Sequence, residues 1–211
     1  MMFLSSKIEF PKIETATEEG LVALGGDLSI ERLMLAYKSG IFPWYNKEEP
    51  ILWWSPDPRM VLYPHELKVS KSMKKLFRDK KFSVTTNKNF RKVIVNCSQI
   101  KRNDQEDTWI TDEMIEAYCE LHQKGIAMSV EVWLSNELVG GLYGIDLKEQ
   151  KVFCGESMFS KISNASKYGF ITLVKMLQEQ NYKLIDCQVH TNHLESLGAK
   201  EISRTEFLSY L

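Results

Sequence analysis

The stretch from Ala127 to His190 constrains the fold more than any other part of this sequence. Ala127–Leu134, Glu137–Ile145 and Lys151–Met158 read as three successive strands, the first two joined by a Ser135-Asn136 turn. A helical pattern follows from about Ala165 to Gln180, with Phe170, Ile171, Leu173, Val174, Met176 and Leu177 apolar. Lys183–His190 is a strand again. Antiparallel strands, a long helix and a returning strand specify a mixed α+β sheet, and the βαβ unit within it takes the right-handed crossover. Gly140-Gly141 lies inside the second strand and marks a bulge or a close backbone approach.

The flanking segments carry their own punctuation. Ser29 is placed to cap a helix through Glu31, Leu33, Leu35 and Tyr37 that ends at Gly40. Met60–Tyr63 and Phe82–Thr86 read as strands, with a helix from about Asn89 to Cys97. Thr111 caps a helix that carries Asp112 and Glu113 in its first turn, where the helix dipole favours them, and ends near Gly125. A short helix after Asn192, a strand near Lys200–Ile202 and a terminal helix from Thr205 complete the chain. We place a small N-terminal domain at about residues 1–63 and a larger one at 64–211.

A chain of 211 residues, 44% hydrophobic, can bury on the order of 70% of its unfolded surface without a disulfide or metal staple. Cys97, Cys119, Cys154 and Cys187 form no CxxC pair, each sits in an apolar stretch, and all are read as buried reduced thiols of a cytoplasmic protein. No run approaches a membrane span, and the N-terminus lacks a secretory pattern.

The formal net charge is −1, which by itself argues against a nucleic-acid partner. The charges are not evenly spread. Residues 68–102 hold Lys68, Lys71, Lys74, Lys75, Arg78, Lys80, Lys81, Lys88, Arg91, Lys92, Lys101 and Arg102 against Asp79 alone, a local charge of +11 that leaves −12 on the remainder. Within this block Ser70 caps a helix running to about Lys80. Val69, Met73, Leu76 and Phe77 make one face, and Lys71, Lys74, Lys75 and Arg78 fall largely on the other. Such a helix is either a solvated charged face or a surface for phosphates.

Chemistry is best sought at the end of the Lys183–His190 strand. Period-2 alternation puts Asp186, Gln188 and His190 on one face with Leu184, and Ile185, Cys187 and Val189 on the other. In the 151–158 strand Glu156 shares a face with Val152, Cys154 and Met158, so its carboxylate must be desolvated and satisfied by partners. If the two strands are parallel neighbours, Glu156 can meet Asp186 and Gln188 at their C-terminal ends, where ligand clefts are common. A buried structural network is the alternative. His190 and His193 have no third ligand near them in sequence, and no nucleophile elbow, Walker loop or dinucleotide-binding glycine pattern occurs.

At these residues the chain resembles the leucyl/phenylalanyl-tRNA–protein transferases. The resemblance rests on Gly20-Leu-Val-Ala-Leu-Gly-Gly-Asp-Leu28, Ser39-Gly-Ile-Phe-Pro-Trp44, Ile51-Leu-Trp-Trp-Ser-Pro-Asp-Pro-Arg59, Thr108-Trp-Ile-Thr111, Glu137-Leu-Val-Gly-Gly-Leu-Tyr-Gly144, Phe153-Cys-Gly-Glu-Ser-Met-Phe159, Asn164-Ala-Ser-Lys167, Leu184-Ile-Asp-Cys-Gln188 and Ser196-Leu-Gly-Ala199. These segments span nearly the whole chain.

The resemblance implies an enzyme that moves Leu or Phe, and Met less well, from Leu-tRNA or Phe-tRNA to proteins with N-terminal Arg or Lys, marking them for N-end-rule degradation. It implies a GNAT-like (N-acetyltransferase-like) catalytic domain, no metal, no coenzyme A or other cofactor, no membrane and a monomer. Consistent with this, no glycine sits in the Arg/Gln-x-x-Gly-x-Gly/Ala pattern that cradles an acyl-CoA pyrophosphate.

By resemblance Gln188 contacts the attacking amine, Asp186 orients and polarises it, and Glu156 lies near the terminal nucleotide or the donor's amino group. The proton can leave through Asp186, a water or the adjacent ribose hydroxyl. Trp54, Trp109, Leu142, Phe153, Met158, Leu173 and Ile185 are the positions for an apolar side-chain pocket, and Trp53 or Trp54 for stacking on the terminal adenine. Lys71, Lys74, Lys75 and Arg78 are then the tRNA phosphate contacts. A coenzyme A-dependent N-acyltransferase and a non-catalytic tRNA-binding module are the competing readings.

Overall fold

The computed structural model describes residues 2–100 and 109–211. Lys101 and Arg102 of the basic block, and Asp107 and Thr108 beside Trp109, lie outside the described residues. In chain order the elements are β1 (Met2–Leu4), β2 (Leu21–Gly25), α1 (Ile30–Lys38), β3 (Phe42–Pro43), β4 (Leu52–Trp54), β5 (Arg59–Leu62), α2 (Lys71–Arg78), β6 (Ser83–Thr86), α3 (Phe90–Ser98) and α4 (Asp112–Gln123). Then come β7 (Ala127–Leu134), β8 (Glu137–Leu147), β9 (Val152–Ser160), α5 (Ala165–Glu179), β10 (Leu184–Gln188), α6 (Asn192–Glu195), β11 (Lys200–Ile202) and α7 (Arg204–Leu208).

The caps form as the side-chain chemistry requires. Ser29 accepts from the Arg32 amide, Ser70 from Met73 and Thr111 from Met114, each satisfying one orphan N–H of its helix. Gly40 and Gly125 stand in the left-handed region just past α1 and α4, and Ser135-Asn136 takes two positive φ values between β7 and β8.

Two sheets result. One has four strands in the order β1-β2-β4-β3, and the other seven in the order β11-β5-β10-β9-β8-β7-β6. In the larger sheet β9 and β10 are parallel, joined through α5, and the other pairings are antiparallel. This is the expected mixed α+β sheet. The small sheet is built from residues of the expected first unit, 1–63, but β5 of that stretch pairs with β10 and β11 in the large sheet.

Alternation along the strands separates two apolar layers. Leu62, Val130, Val132, Leu142, Phe153 and Ile185 pack with α5, whereas Val61, Tyr143, Ile145, Cys154 and Leu184 pack with α1, α3 and α4. The glycine pair of β8 serves close approach. A Cβ on Gly140 would stand 2.7 Å from the Ala165 Cβ, so α5 can rest directly on the sheet there.

Two readings are corrected. The 183–190 strand ends at Gln188, and His190 lies beyond it, exposed and 3.3 Å from Glu195. Cys187 is half-buried rather than buried. Both follow from a bulge: Asp186 opposes Val61 and Gln188 opposes Met60, which leaves Cys187 as the extra residue and breaks the period of two.

Candidate active site

The parallel pairing of β9 and β10 covers only Leu184 with Val152, Ile185 with Phe153 and Asp186 with Cys154. Beyond it the strands part, and a cavity of about 390 Å³ opens between Gly155–Met158 on one side and Cys187–Val189 on the other. It lies at the C-terminal ends of the strands, as expected of a ligand cleft in a parallel pair, and its size suits one small apolar group with a few polar contacts.

Glu156 and Gln188 meet here. The Gln188 Nε2 donates to Glu156 Oε1 at 3.0 Å. An ionised carboxylate accepts only, so the amide nitrogen must face it, and Gln188 Oε1 is left without a hydrogen-bond partner among the described residues. Gln188 stands at φ 64°, a conformation that costs a non-glycine residue free energy, here in a residue that lines the cavity. The turn is held from within, since Asp186 Oδ1 accepts from the Gln188 amide at 2.9 Å.

Asp186 is locked in turn. Arg59 Nε reaches Oδ1 and Arg59 Nη2 reaches Oδ2, both at 2.7 Å, with each residue 1% exposed. The guanidinium also donates to the Gly40 carbonyl at 3.2 Å, and it lies 4.8 Å from the Phe42 ring centroid and 4.5 Å from that of Phe207. The fork therefore ties β5, β10, the end of α1 and α7 into one unit.

On its other oxygen Glu156 accepts from the Tyr118 hydroxyl at 3.1 Å, and Tyr118 is hydrogen-bonded to the Tyr37 hydroxyl. Since Tyr118 gives its only proton to Glu156, Tyr37 must be the donor to Tyr118. Burial pushes the Glu156 carboxyl up to about 7; the hydroxyls of Tyr37 and Tyr118 pull against this, Asp186 adds to the rise and Arg59 opposes it. Burial first, and the Glu156 charge second, raise both tyrosines well above their ordinary range, so they remain protonated donors.

Of the expected pocket residues, Trp109, Leu142, Phe153, Met158 and Ile185 line the cavity, together with Glu156, Asp186 and Gln188. Leu173 does not. It is fully buried on the face of α5 that meets the sheet, while Phe170 of the same helix supplies the wall. Nor does Trp53 reach it. Along β4, Trp53 turns inward, 0% exposed, with its ring edge-on to Phe10 and Nε1 bonded to the Gly25 carbonyl at 2.8 Å. Trp54 faces the other way and braces Trp44, donating from Nε1 to the Trp44 carbonyl at 2.7 Å with ring centroids 6.2 Å apart. Trp44 is the tryptophan at the cavity that is open to solvent, 37% exposed. The Phe42-Pro-Trp44 segment was legible as part of a motif, but its place beside β10 depends on a contact between distant segments.

The phosphate candidates Lys71, Lys74, Lys75 and Arg78 are exposed along α2, with Met73 buried beneath them. Phe77 of α2 stacks on Tyr168 of α5 at 3.8 Å, and Lys175 of α5 lies 4.6 Å from the Phe77 ring centroid. The helix that walls the cavity with Phe170 therefore also carries the basic helix. Among the described residues no group of three or more His, Cys, Asp or Glu is placed to hold a metal ion, and no helix is long and apolar enough to cross a membrane.

Comparison with known proteins gives the same direction throughout the chain. Residues 61–211 match the family model for leucyl/phenylalanyl-tRNA protein transferase, and residues 26–57 match the model for its N-terminal domain. The leucyl/phenylalanyl-tRNA–protein transferase of Flavobacterium johnsoniae is 64% identical over 211 residues, covering 100% of this chain and 99% of that protein. Those of Christiangramia forsetii and Pseudomonas aeruginosa are 59% and 55% identical, covering 100% and 96% of this chain and 100% and 89% of theirs. A GCN5-related N-acetyltransferase-like protein from Streptococcus suis is a distant structural neighbour, with a TM-score of 0.40 and 12% identity over 83% of this chain and 66% of that one. The matches to family and relatives alike, covering both sheets and the cavity between β9 and β10, make this chain a member of the leucyl/phenylalanyl-tRNA–protein transferase family, and so a transferase.

Proposed function

We propose that the protein moves Leu or Phe, and Met less well, from aminoacyl-tRNA to the α-amine of proteins whose N-terminus is Arg or Lys, marking them for N-end-rule degradation. In this reading it acts in the cytoplasm as a monomer without a cofactor. The observation that carries it is the cavity itself, walled largely by apolar side chains and lined also by the hydrogen-bonded Glu156 and Gln188.

An aminoacyl ester is already activated, so the main work is to hold ester and amine together, which can supply roughly 7–11 kcal/mol. The donor side chain enters the walls made by Trp109, Leu142, Phe153, Met158, Phe170 and Ile185. Such walls exclude polar groups but separate similar apolar side chains by only about 1–3 kcal/mol per methylene, which fits tolerance of Leu, Phe and Met. Trp44, exposed at the same cavity and braced by Trp54, is the aromatic plane for the terminal adenine. Gln188 accepts a hydrogen bond from the attacking amine at Oε1. Asp186, held by Arg59, keeps the Gln188 backbone in place.

The decisive experiment is incubation with radiolabelled Phe-tRNA and a substrate bearing an N-terminal Arg, without coenzyme A. Label should move to the substrate's N-terminus. Transfer only on adding an acyl-CoA would favour the acetyltransferase reading, and binding without transfer the tRNA-binding module. Gln188→Ala should lower the single-turnover rate roughly 10²-fold or more, as misplaced reactants do, with aminoacyl-tRNA binding largely intact. A wild-type rate would remove Gln188 from the reaction.

The exposed face of α2 supplies sequence-independent phosphate contacts. The Lys71/Lys74/Lys75→Ala variant should bind tRNA more weakly and flatten the log-affinity against log-salt slope by roughly one for each lost contact. Unchanged affinity and slope would return α2 to an ordinary solvated face.

A further inference from the structure

We propose that Glu156 is the proton shuttle of the transfer reaction, taking the proton of the attacking amine and returning it to the leaving ribose oxygen, and that the Tyr37–Tyr118 pair is the positioning device that holds Glu156 to that task. The proposal rests on the aminoacyl transfer argued above.

The amine of the acceptor must lose a proton as its nitrogen bonds to the ester carbonyl carbon. The ester C–O bond then breaks, and the ribose oxygen must gain one. The two protons balance, so a single group that accepts and then donates is sufficient, with no co-reactant. The base must touch the cavity, be ionisable near neutrality and have an oxygen with spare acceptor capacity.

Asp186 fails this test although it lines the cavity. Its Oδ1 already accepts from Arg59 and the Gln188 amide, and its Oδ2 from Arg59. Both of its oxygens are thus committed to holding Arg59 and the turn at the end of β10. Gln188 is a neutral amide and can orient but not store a proton. Cys187 also lines the cavity, but burial and then the Asp186 charge push its thiol far up, so it stays protonated. His193 lines it too, but Gln188, which faces the attacking amine, is hydrogen-bonded to Glu156 and not to His193 among the described residues.

Glu156 meets each condition. It accepts from Gln188 on Oε1 and from Tyr118 on Oε2, with the Tyr37 hydroxyl beside it, and Oε1 has room for a second hydrogen bond. Gln188 Oε1 and Glu156 can therefore share the two hydrogens of a neutral amine. The carboxyl, pushed up to about 7 by burial, is matched to a group that must gain and lose a proton at neutral pH. The charged and titratable groups that set it come from every element around it: Tyr37 of α1, Tyr118 of α4, Arg59 of β5, and Asp186 of β10. Neither tyrosine is among the residues that line the cavity, so they act through Glu156.

The test is the pH profile of single-turnover transfer at saturating Phe-tRNA and acceptor peptide. Wild-type transfer establishes the reaction on which the proposal stands; if none occurs, that reading fails first. Given transfer, Glu156→Gln keeps the shape and should lower the rate roughly 10²- to 10⁴-fold, the usual worth of a positioned acid–base. It should also abolish the limb near pH 7. Tyr118→Phe should keep most of the maximal rate but move that limb to higher pH by about one pH unit, the worth of one hydrogen bond to a charged group. The titration of the acceptor's own amine is untouched by either change, so the moving limb belongs to Glu156.

If Glu156→Gln retains the wild-type rate and limb, the proposal is wrong. A donor with a 2′-deoxy terminal adenosine supplies the opposing outcome: if it alone abolishes transfer while Glu156→Gln does not, the ribose hydroxyl is the shuttle. Should Glu156→Gln fail to bind Phe-tRNA, the Tyr118→Phe profile decides, and an unmoved limb there overturns the assignment.

Discussion

Arg59→Met is expected to destabilise the protein by about 3–5 kcal/mol at neutral pH, because it leaves Asp186 as an uncompensated charge at 1% exposure. The side chain also contributes packing between Phe42 and Phe207, which methionine preserves in part. The double variant Arg59→Met/Asp186→Leu should recover most of that loss, since a buried ion pair exchanged for apolar groups of similar volume is often neutral or stabilising. Activity should not recover with it. Without the Asp186 carboxylate the Gln188 amide loses its acceptor, and nothing then holds Gln188 at a positive φ. Urea unfolding and single-turnover transfer, measured on the same three proteins, separate these effects. A single variant that costs under about 1 kcal/mol would mean the fork is not a buried clamp. Restored transfer in the double variant would mean that Gln188 does not depend on it.

Glu156→Gln should stabilise the protein at pH 8 while crippling it. The folded-state carboxyl ionises at about 7, above its ordinary 4.5, so between those values the native state binds more protons than the unfolded chain. Stability is then full below pH 4.5 and falls as the pH rises toward and through 7. The shift corresponds to roughly 3 kcal/mol at pH 8, on the order of 6–12 °C in Tm for a domain of this length. Glutamine mimics the protonated acid, so the variant should melt higher than wild type at pH 8 and alike at pH 4. Equal melting at pH 8 would show that the carboxyl is not desolvated. A residue that costs stability where the protein operates is retained for another reason, which is the common trade at active sites.

Local chemistry and periodicity read much of the fold correctly. Ala127–Leu134 and Lys200–Ile202 have the predicted limits, and Ser29, Ser70 and Thr111 cap the predicted helices. These depend on neighbours within a few residues or on one repeating face, and both are written along the chain. The meeting of Glu156 with Gln188 was also legible, because two parallel strands joined by one helix bring their C-terminal ends together.

The corrections share a different cause. Trp53 and Trp54 are adjacent and chemically alike, and only the packing of the small sheet turns the first into the core and the second onto Trp44. Leu173 and Phe170 lie on one helix, and only the position where β9 and β10 part decides which of them meets empty space. A strand written with period two also hides its own bulge, since the extra residue is defined by the partner strand.

By itself, then, the sequence determined a mixed α+β sheet, a basic helix and the residue types of a transferase cleft, because hydrophobic period, caps and motif order are properties of contiguous chain. The tertiary structure alone decided that Arg59 holds Asp186 across 127 positions and that Tyr37 meets Tyr118 across 81 to reach Glu156. What makes Glu156 a candidate base is the loss of water around it, and burial is a property of the packed molecule that no single segment carries.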